Sequence, residues 1–131
     1  MKLIEFSSFP ELKENAIRLL AGQFHTGSPR PHAVMLTGGT TPLELYRTLQ
    51  SSPVPVDASL HLLLTDERHV PLESPESNYG NMIPMVRALK IDESRIMRGR
   101  TELPLDAAAS QYNEEISGFL EKGGQIALGL L

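Results

Sequence analysis

Three short apolar runs, Ala33 to Leu36, Leu60 to Leu64 and Gln125 to Leu131, are each bounded by turn-forming residues and separated by stretches of helical periodicity. Runs this short are poor helices, and strands apolar on every residue are those buried on both faces. Strands of that kind alternating with amphipathic helices predict an α/β domain: an open, mostly parallel sheet with helices on both faces, three layers in all. In that architecture ligands bind beyond the carboxyl ends of the strands, so the residues following each apolar run become the first candidates for chemistry.

The helices carry their own start and stop signals. Ser8 and Glu11 form a capping box ahead of a stripe of Leu12, Ala16, Leu19 and Leu20, a helix expected to end near Gly22. Thr41 is the expected N-cap of a second helix, with Pro42 at its first position and Glu44 completing another box before Leu45 and Leu49. Met82, Met85, Val86 and Leu89 mark a third helix between Asn78 and Lys90, with Pro84 either in its first turns or kinking it. Arg95 to Arg98 reads as a short extended piece. Asp106 is the expected cap of a fourth helix, whose stripe runs through Ala108, Tyr112, Ile116 and Phe119 to Gly123 and Gly124.

Composition removes several classes of function. Twelve Lys and Arg against sixteen Asp and Glu leave a net charge of -4, which provides no cationic field for nucleic acid or acidic lipid. The chain has no cysteine, which excludes disulfides, thiolate catalysis and thiolate metal sites. The amino-terminal MKLIEFSSFPELKEN holds no apolar run of signal or membrane length, so a cytoplasmic protein is expected. No repeat or linker divides the 131 residues, which read as one domain.

Two loops carry the chemistry. In TGGTTP, Thr37 to Pro42, two glycines let the backbone approach a ligand where a helix start offers unpaired N–H groups and partial positive charge. That suits an anion, although any tight strand-to-helix turn favours the same residues. Neither the Walker pattern nor G-x-G-x-x-G is present, which disfavours nucleotides. In TDERHVPLESPESN, Thr65 to Asn78, two adjacent acids and an arginine stand at a strand exit on the same sheet edge. Asp66 or Glu67 can handle protons or orient a sugar hydroxyl, and Arg68 can bind phosphate or carboxylate bidentately. Adjacency does not decide which acid points inward. The four histidines share no metal-ligand spacing; His61, between leucines, reads as structural, and His69 alone lies in this loop. Arg95, Arg98 and Arg100 form a basic patch suited to a second anion contact or to the acids of a neighbour.

TGGTTPLELY, Thr37 to Tyr46, resembles the S-G-G-S-T-P-x-x-L-Y turn of the 6-phosphogluconolactonase family, and Thr65 to Asn78 resembles that family's D-E-R-x-V-P…S-N segment. An Ala-Ala…Tyr helix at Ala107 to Tyr112 follows in the same order. The family is similar in fold to glucosamine-6-phosphate deaminase, which has Asp-Glu-Tyr where this chain has Asp66, Glu67 and Arg68; the first threonine of TGGT leans toward the deaminase version. The resemblance implies hydrolysis of 6-phospho-D-glucono-1,5-lactone to 6-phosphogluconate in the pentose phosphate pathway, without metal or organic cofactor and with a sugar phosphate as the only small-molecule partner. It places Gly38, Gly39, Thr40 and Thr41 along the sugar-phosphate pocket, Asp66 and Arg68 at its floor as catalytic residues, and Asn78 as a brace for the loop. The family's water-activating histidine belongs to a G-x-G-x-D-G-H-T motif after the third strand. Here that strand reads IALGLL, so the motif's place, and the carboxyl-terminal part of the fold, are expected beyond Leu131. Two alternatives stand beside the lactonase: an aldose-ketose isomerase with deamination, in which Asp66 transfers the proton, and a noncatalytic sugar-phosphate-binding module. The apolar ending also predicts self-association through an exposed strand.

Overall fold

A computed structural model describes residues 1–131. Helix α1 spans Phe9–Phe24, strand β1 His32–Leu36, α2 Thr40–Ser51, β2 Leu60–Leu64 and α3 Asn78–Ala88. A single 3-10 turn at Glu93–Arg95 leads into β3, Ile96–Met97, and α4, Leu105–Glu121, precedes β4, Gln125–Gly129. All pairings are parallel, and the four strands lie in the order β3-β2-β1-β4. The order reverses at β1, the position at which open α/β sheets form their ligand crevice.

Alternate strand residues feed two cores. Val34, Leu36, Leu60, Leu62, Leu64 and Ile96 point to the face covered by α1, α2 and α3, where they meet Leu20, Phe24, Leu49, Met82 and Met85. Ala33, Leu63 and Met97 point the other way, toward Phe119 of α4 and the partly buried Tyr112 and Ile116. The expected three layers are therefore present, with unequal covers: three helices on one face and one on the other.

The caps differ from expectation in instructive places. Ser8 caps α1, its hydroxyl accepting the Glu11 N–H, while the Glu11 carboxylate returns to the Ser7 N–H instead of closing on Ser8. The helix continues through Gly22 to Phe24, and it is Leu20 and Phe24 that are buried; Leu12 and Leu19 face solvent. The cap of α2 is Gly39, not Thr41: its φ of 105° takes the chain around the turn, so helical geometry begins two residues earlier and Pro42 falls third in the helix, where its missing N–H still costs nothing. Pro104, not Asp106, precedes α4, and Asp106 lies within the first turn, where negative charge suits the helix dipole. Pro84 sits in the second turn of α3.

The expected third buried strand, β4, is largely exposed: it lies at the sheet edge with β1 as its one neighbour, and Ile126 is 44% exposed. The basic patch is also reassigned. Arg98 is 3% exposed, binds Glu93 and both carboxylate oxygens of Glu102, and lies 4.3 Å over the Tyr79 ring; Arg100 binds Glu115, and Arg95 donates to the carbonyls of Asp57, Ala58 and Leu60. These cations are committed to this chain's own acceptors, leaving neither an anion site nor a patch for a neighbour. His61 is half-buried against Phe119 and bonds Ser59 O; burial, helped by the charges of Arg95 and His32, holds its pKa below the ordinary value.

Candidate active site at the carboxyl edge of the sheet

The loops following β1 and β2 converge on one side chain, Asn78, the first residue of α3. Its carbonyl oxygen accepts from Arg68 Nη1 at 2.7 Å, and its amide nitrogen donates to Asp66 O at 3.1 Å and Asp66 Oδ2 at 3.3 Å. Arg68 Nη1 also reaches Glu76 O at 3.4 Å. Asn78 is buried although polar, and it fits because Gly38 leaves it room: a Cβ on Gly38 would stand 1.9 Å from Asn78 Oδ1. The glycine of the first loop and the asparagine closing the second therefore form one packing unit.

Each strand exit is held by a tyrosine from a flanking helix. Tyr46 of α2 donates to Thr37 O at 2.7 Å, and Tyr112 of α4 donates to Leu64 O. Burial raises both phenols above the ordinary tyrosine pKa, and for Tyr112 the negative charges of Asp66 and Glu115 add to the effect. Both hydroxyls thus remain protonated donors at neutral pH.

A cavity of about 440 Å³ opens between the loops, lined by Gly38, Gly39, Thr40, Leu43, Tyr46, Arg68, Pro75, Glu76, Asn78, Asn81 and Met82. The first turn of α2 borders it, and no side chain caps that helix, so the orphan N–H groups of its start and Arg68 belong to the same cavity lining. The volume suits a ligand of sugar-phosphate size. Gly38, Gly39, Thr40, Arg68 and Asn78 are all among its lining residues; Thr41 and Asp66 are not. Asp66 borders a smaller hollow of about 160 Å³ toward α4, together with Glu67, His69 and Tyr112, and touches the larger cavity only through Asn78.

The structure separates the two adjacent acids. Glu67 accepts from the backbone N–H groups of Arg68, Asn78 and Tyr79 and from the Ser77 hydroxyl, whereas Asp66 is exposed and bonded by Thr65 Oγ1 and Asn78. None of the histidines lines the larger cavity, and His69 bonds Leu103 O at 2.8 Å. No group of three or more His, Cys, Asp or Glu is placed to hold a metal ion, and no helix is long and apolar enough to cross a membrane. Sequence reading missed Tyr46, Glu76, Asn81 and Met82. Asn81 and Met82 could have been found, since they lie three and four residues beyond Asn78 on the same helix and so share its face.

A parallel sheet with a cavity at its carboxyl edge, bordered by an uncapped helix start and an arginine, defines an α/β protein with a candidate ligand site where this class of fold carries one. The family model described as glucosamine-6-phosphate isomerases/6-phosphogluconolactonase matches residues 11–131, and the chain belongs to that family. It is 34% identical over 98 residues to a 6-phosphogluconolactonase of Thermotoga maritima, a match covering 74% of this chain and 44% of the relative. Against the 6-phosphogluconolactonase of Haemophilus influenzae it is 32% identical over 126 residues, covering 92% and 54%. The crystal structure of a Thermotoga maritima 6-phosphogluconolactonase superposes with a TM-score of 0.68 at 30% identity, covering 89% of this chain and 53% of that one. The chain spans about half the length of the curated relatives it matches.

Proposed function

We propose that this chain forms the sugar-phosphate-binding part of a 6-phosphogluconolactonase, acting on 6-phospho-D-glucono-1,5-lactone to give 6-phosphogluconate. The observation that carries the reading is Arg68, held by Asn78 in the lining of the 440 Å³ cavity that the uncapped start of α2 also borders. Gly38, Gly39, Thr40 and Thr41 present the backbone that meets the phosphate, with Thr41 contributing from the helix start and not from the cavity wall. Arg68 offers its remaining N–H groups to a phosphate or a lactone oxygen. Asn78 fixes Arg68, and Asp66, tied to Asn78, lies within one side chain of the bound sugar. No histidine of residues 1–131 lines the cavity, and we assign no proton-transfer step to one. The names of the relatives and the presence of Arg68 favour the lactone over the amino sugar.

The test is made with both sugar phosphates. The protein should bind 6-phosphogluconate saturably by calorimetry and release no ammonia from glucosamine 6-phosphate, and absence of saturable binding would overturn the reading. Ammonia release would transfer the reading to the deaminase.

A further inference from the structure

The second acid of the Asp66-Glu67 pair has a task that the sequence pattern does not reveal. The start of α3 exposes the N–H groups of Asn78, Tyr79 and Gly80, and all three are taken: Glu67 Oε1 accepts from Asn78 at 2.7 Å, Glu67 Oε2 from Tyr79 at 2.8 Å, and Ser77 Oγ from Gly80 at 2.9 Å. Glu67 Oε1 also accepts the Arg68 N–H at 2.8 Å, and Ser77 Oγ stands 3.3 Å from Oε2. A carboxylate from one end of the loop thus occupies the anion position of the helix at the other end, with all its acceptor capacity engaged by this chain.

Two consequences follow for the residues it holds. The N–H groups it grips belong to the residues at both ends of the Arg68 Nη1 to Asn78 Oδ1 hydrogen bond, so one carboxylate sets the separation of the two backbones that this bond requires. The loop between them, residues 69 to 77, contains no helix or strand to fix that separation independently. Gly80 is part of the same closure, since a Cβ there would stand 2.0 Å from Leu72 O.

We propose that Glu67 is a positioning residue for Arg68 and Asn78, closing the loop by occupying the start of α3, and that it takes no part in proton transfer. For its effect on ligand, the inference rests on the sugar-phosphate reading above. Its effect on Arg68 is independent of any ligand, and the two are measured separately.

In Glu67→Gln the side-chain length is kept, but an NH₂ group is turned toward at least one of the N–H donors. Amide exchange at Asn78 and Tyr79 should accelerate at least about tenfold, and 15N relaxation of Arg68 Nε should report a more mobile guanidinium, both without ligand. Affinity for 6-phosphogluconate should fall at least about tenfold, and Arg68→Ala should cost less affinity in the Glu67→Gln background than alone. Ile96→Val, a core change in β3 away from the cavity, should destabilise the protein without this pattern. Unchanged exchange and Arg68 relaxation overturn the inference. So do altered exchange with unaltered affinity, or strictly additive effects of the two variants. If the unsubstituted protein does not bind 6-phosphogluconate, the sugar-phosphate reading fails, and the ligand-free exchange and relaxation arms alone decide for or against positioning.

Discussion

Replacing Gly38 by alanine isolates the contact on which the candidate site depends. The added Cβ would lie 1.9, 2.2 and 2.7 Å from the Oδ1, Cγ and Nδ2 atoms of Asn78, where ordinary contacts begin near 3.4 Å. Gly38 does not occupy the positive-φ region, so alanine has no backbone objection and the whole effect is steric. Asn78 must then leave its seat, giving up the bond from Arg68 Nη1 and those to Asp66. A hydrogen bond to a charged group contributes about 1.5–3 kcal/mol and a neutral one about 1, so the loss is about 3 kcal/mol, a large share of a domain's 5–15. With a urea slope of about 2 kcal/mol/M the unfolding midpoint should fall by about 1.5 M, and affinity for 6-phosphogluconate should fall with it. Gly22→Ala is the matched control: it lies within α1 with nothing within 4 Å of the new Cβ, and should gain up to about 1 kcal/mol. Asn78→Ala should cost less in the Gly38→Ala background than alone, because the clash is already relieved. A Gly38→Ala protein as stable as the parent, with undiminished binding, would refute the packing argument.

Tyr46→Phe leaves the Thr37 carbonyl without its partner beside the cavity and should cost about 1–3 kcal/mol in urea unfolding; a loss below 0.5 kcal/mol would mean that water replaces the phenol freely. Glu102 is held at about 2, below its ordinary 4.5, by hydrogen bonds from Arg98. Its contribution is therefore complete above pH 4.5 and lost as pH falls toward 2. Because its side chain is 48% exposed, the contribution is on the order of 1 kcal/mol, read as a stability gap between parent and Glu102→Gln that closes between pH 5 and 2. A gap of constant size would show that the pair is not the source. The open edge at β4 should make the chain associate with rising concentration in light scattering, and a monomer at every concentration would count against an adhesive edge.

Much of this was legible in the chain because local physics and tertiary placement agreed there. LHLLL is a strand over the residues expected, the Ser8 cap is made, and the two charged or glycine-rich loops meet on one edge because a parallel sheet leaves them no other place. Legibility failed where a residue's letter was compatible with two positions. Thr-Pro suits a helix start at either of two registers, and the left-handed turn at Gly39 selected the earlier one. The apolar letters of β4 say that it pairs, not that it is covered. Asp66 and Glu67 are indistinguishable by type, and their separation depends on Glu67 reaching a helix eleven residues ahead, a contact no local pattern encodes. Arg98 reads in the sequence as part of a patch free for an anion or a neighbour because its partners Glu93 and Glu102 surround it only after β3 forms.

The seating of Asn78 against Gly38 has a consequence for anyone wishing to redesign this protein. The turn after β1 and the long loop after β2 cannot be exchanged as separate cassettes, because each supplies half of one joint: the first an empty space, the second the amide that fills it. A graft that imports a side chain at position 38 must also import a smaller residue at 78 and a new anchor for Arg68. Loop libraries built here should therefore vary the two segments jointly, and a screen that randomises either alone will return mostly proteins in which the arginine has lost its address.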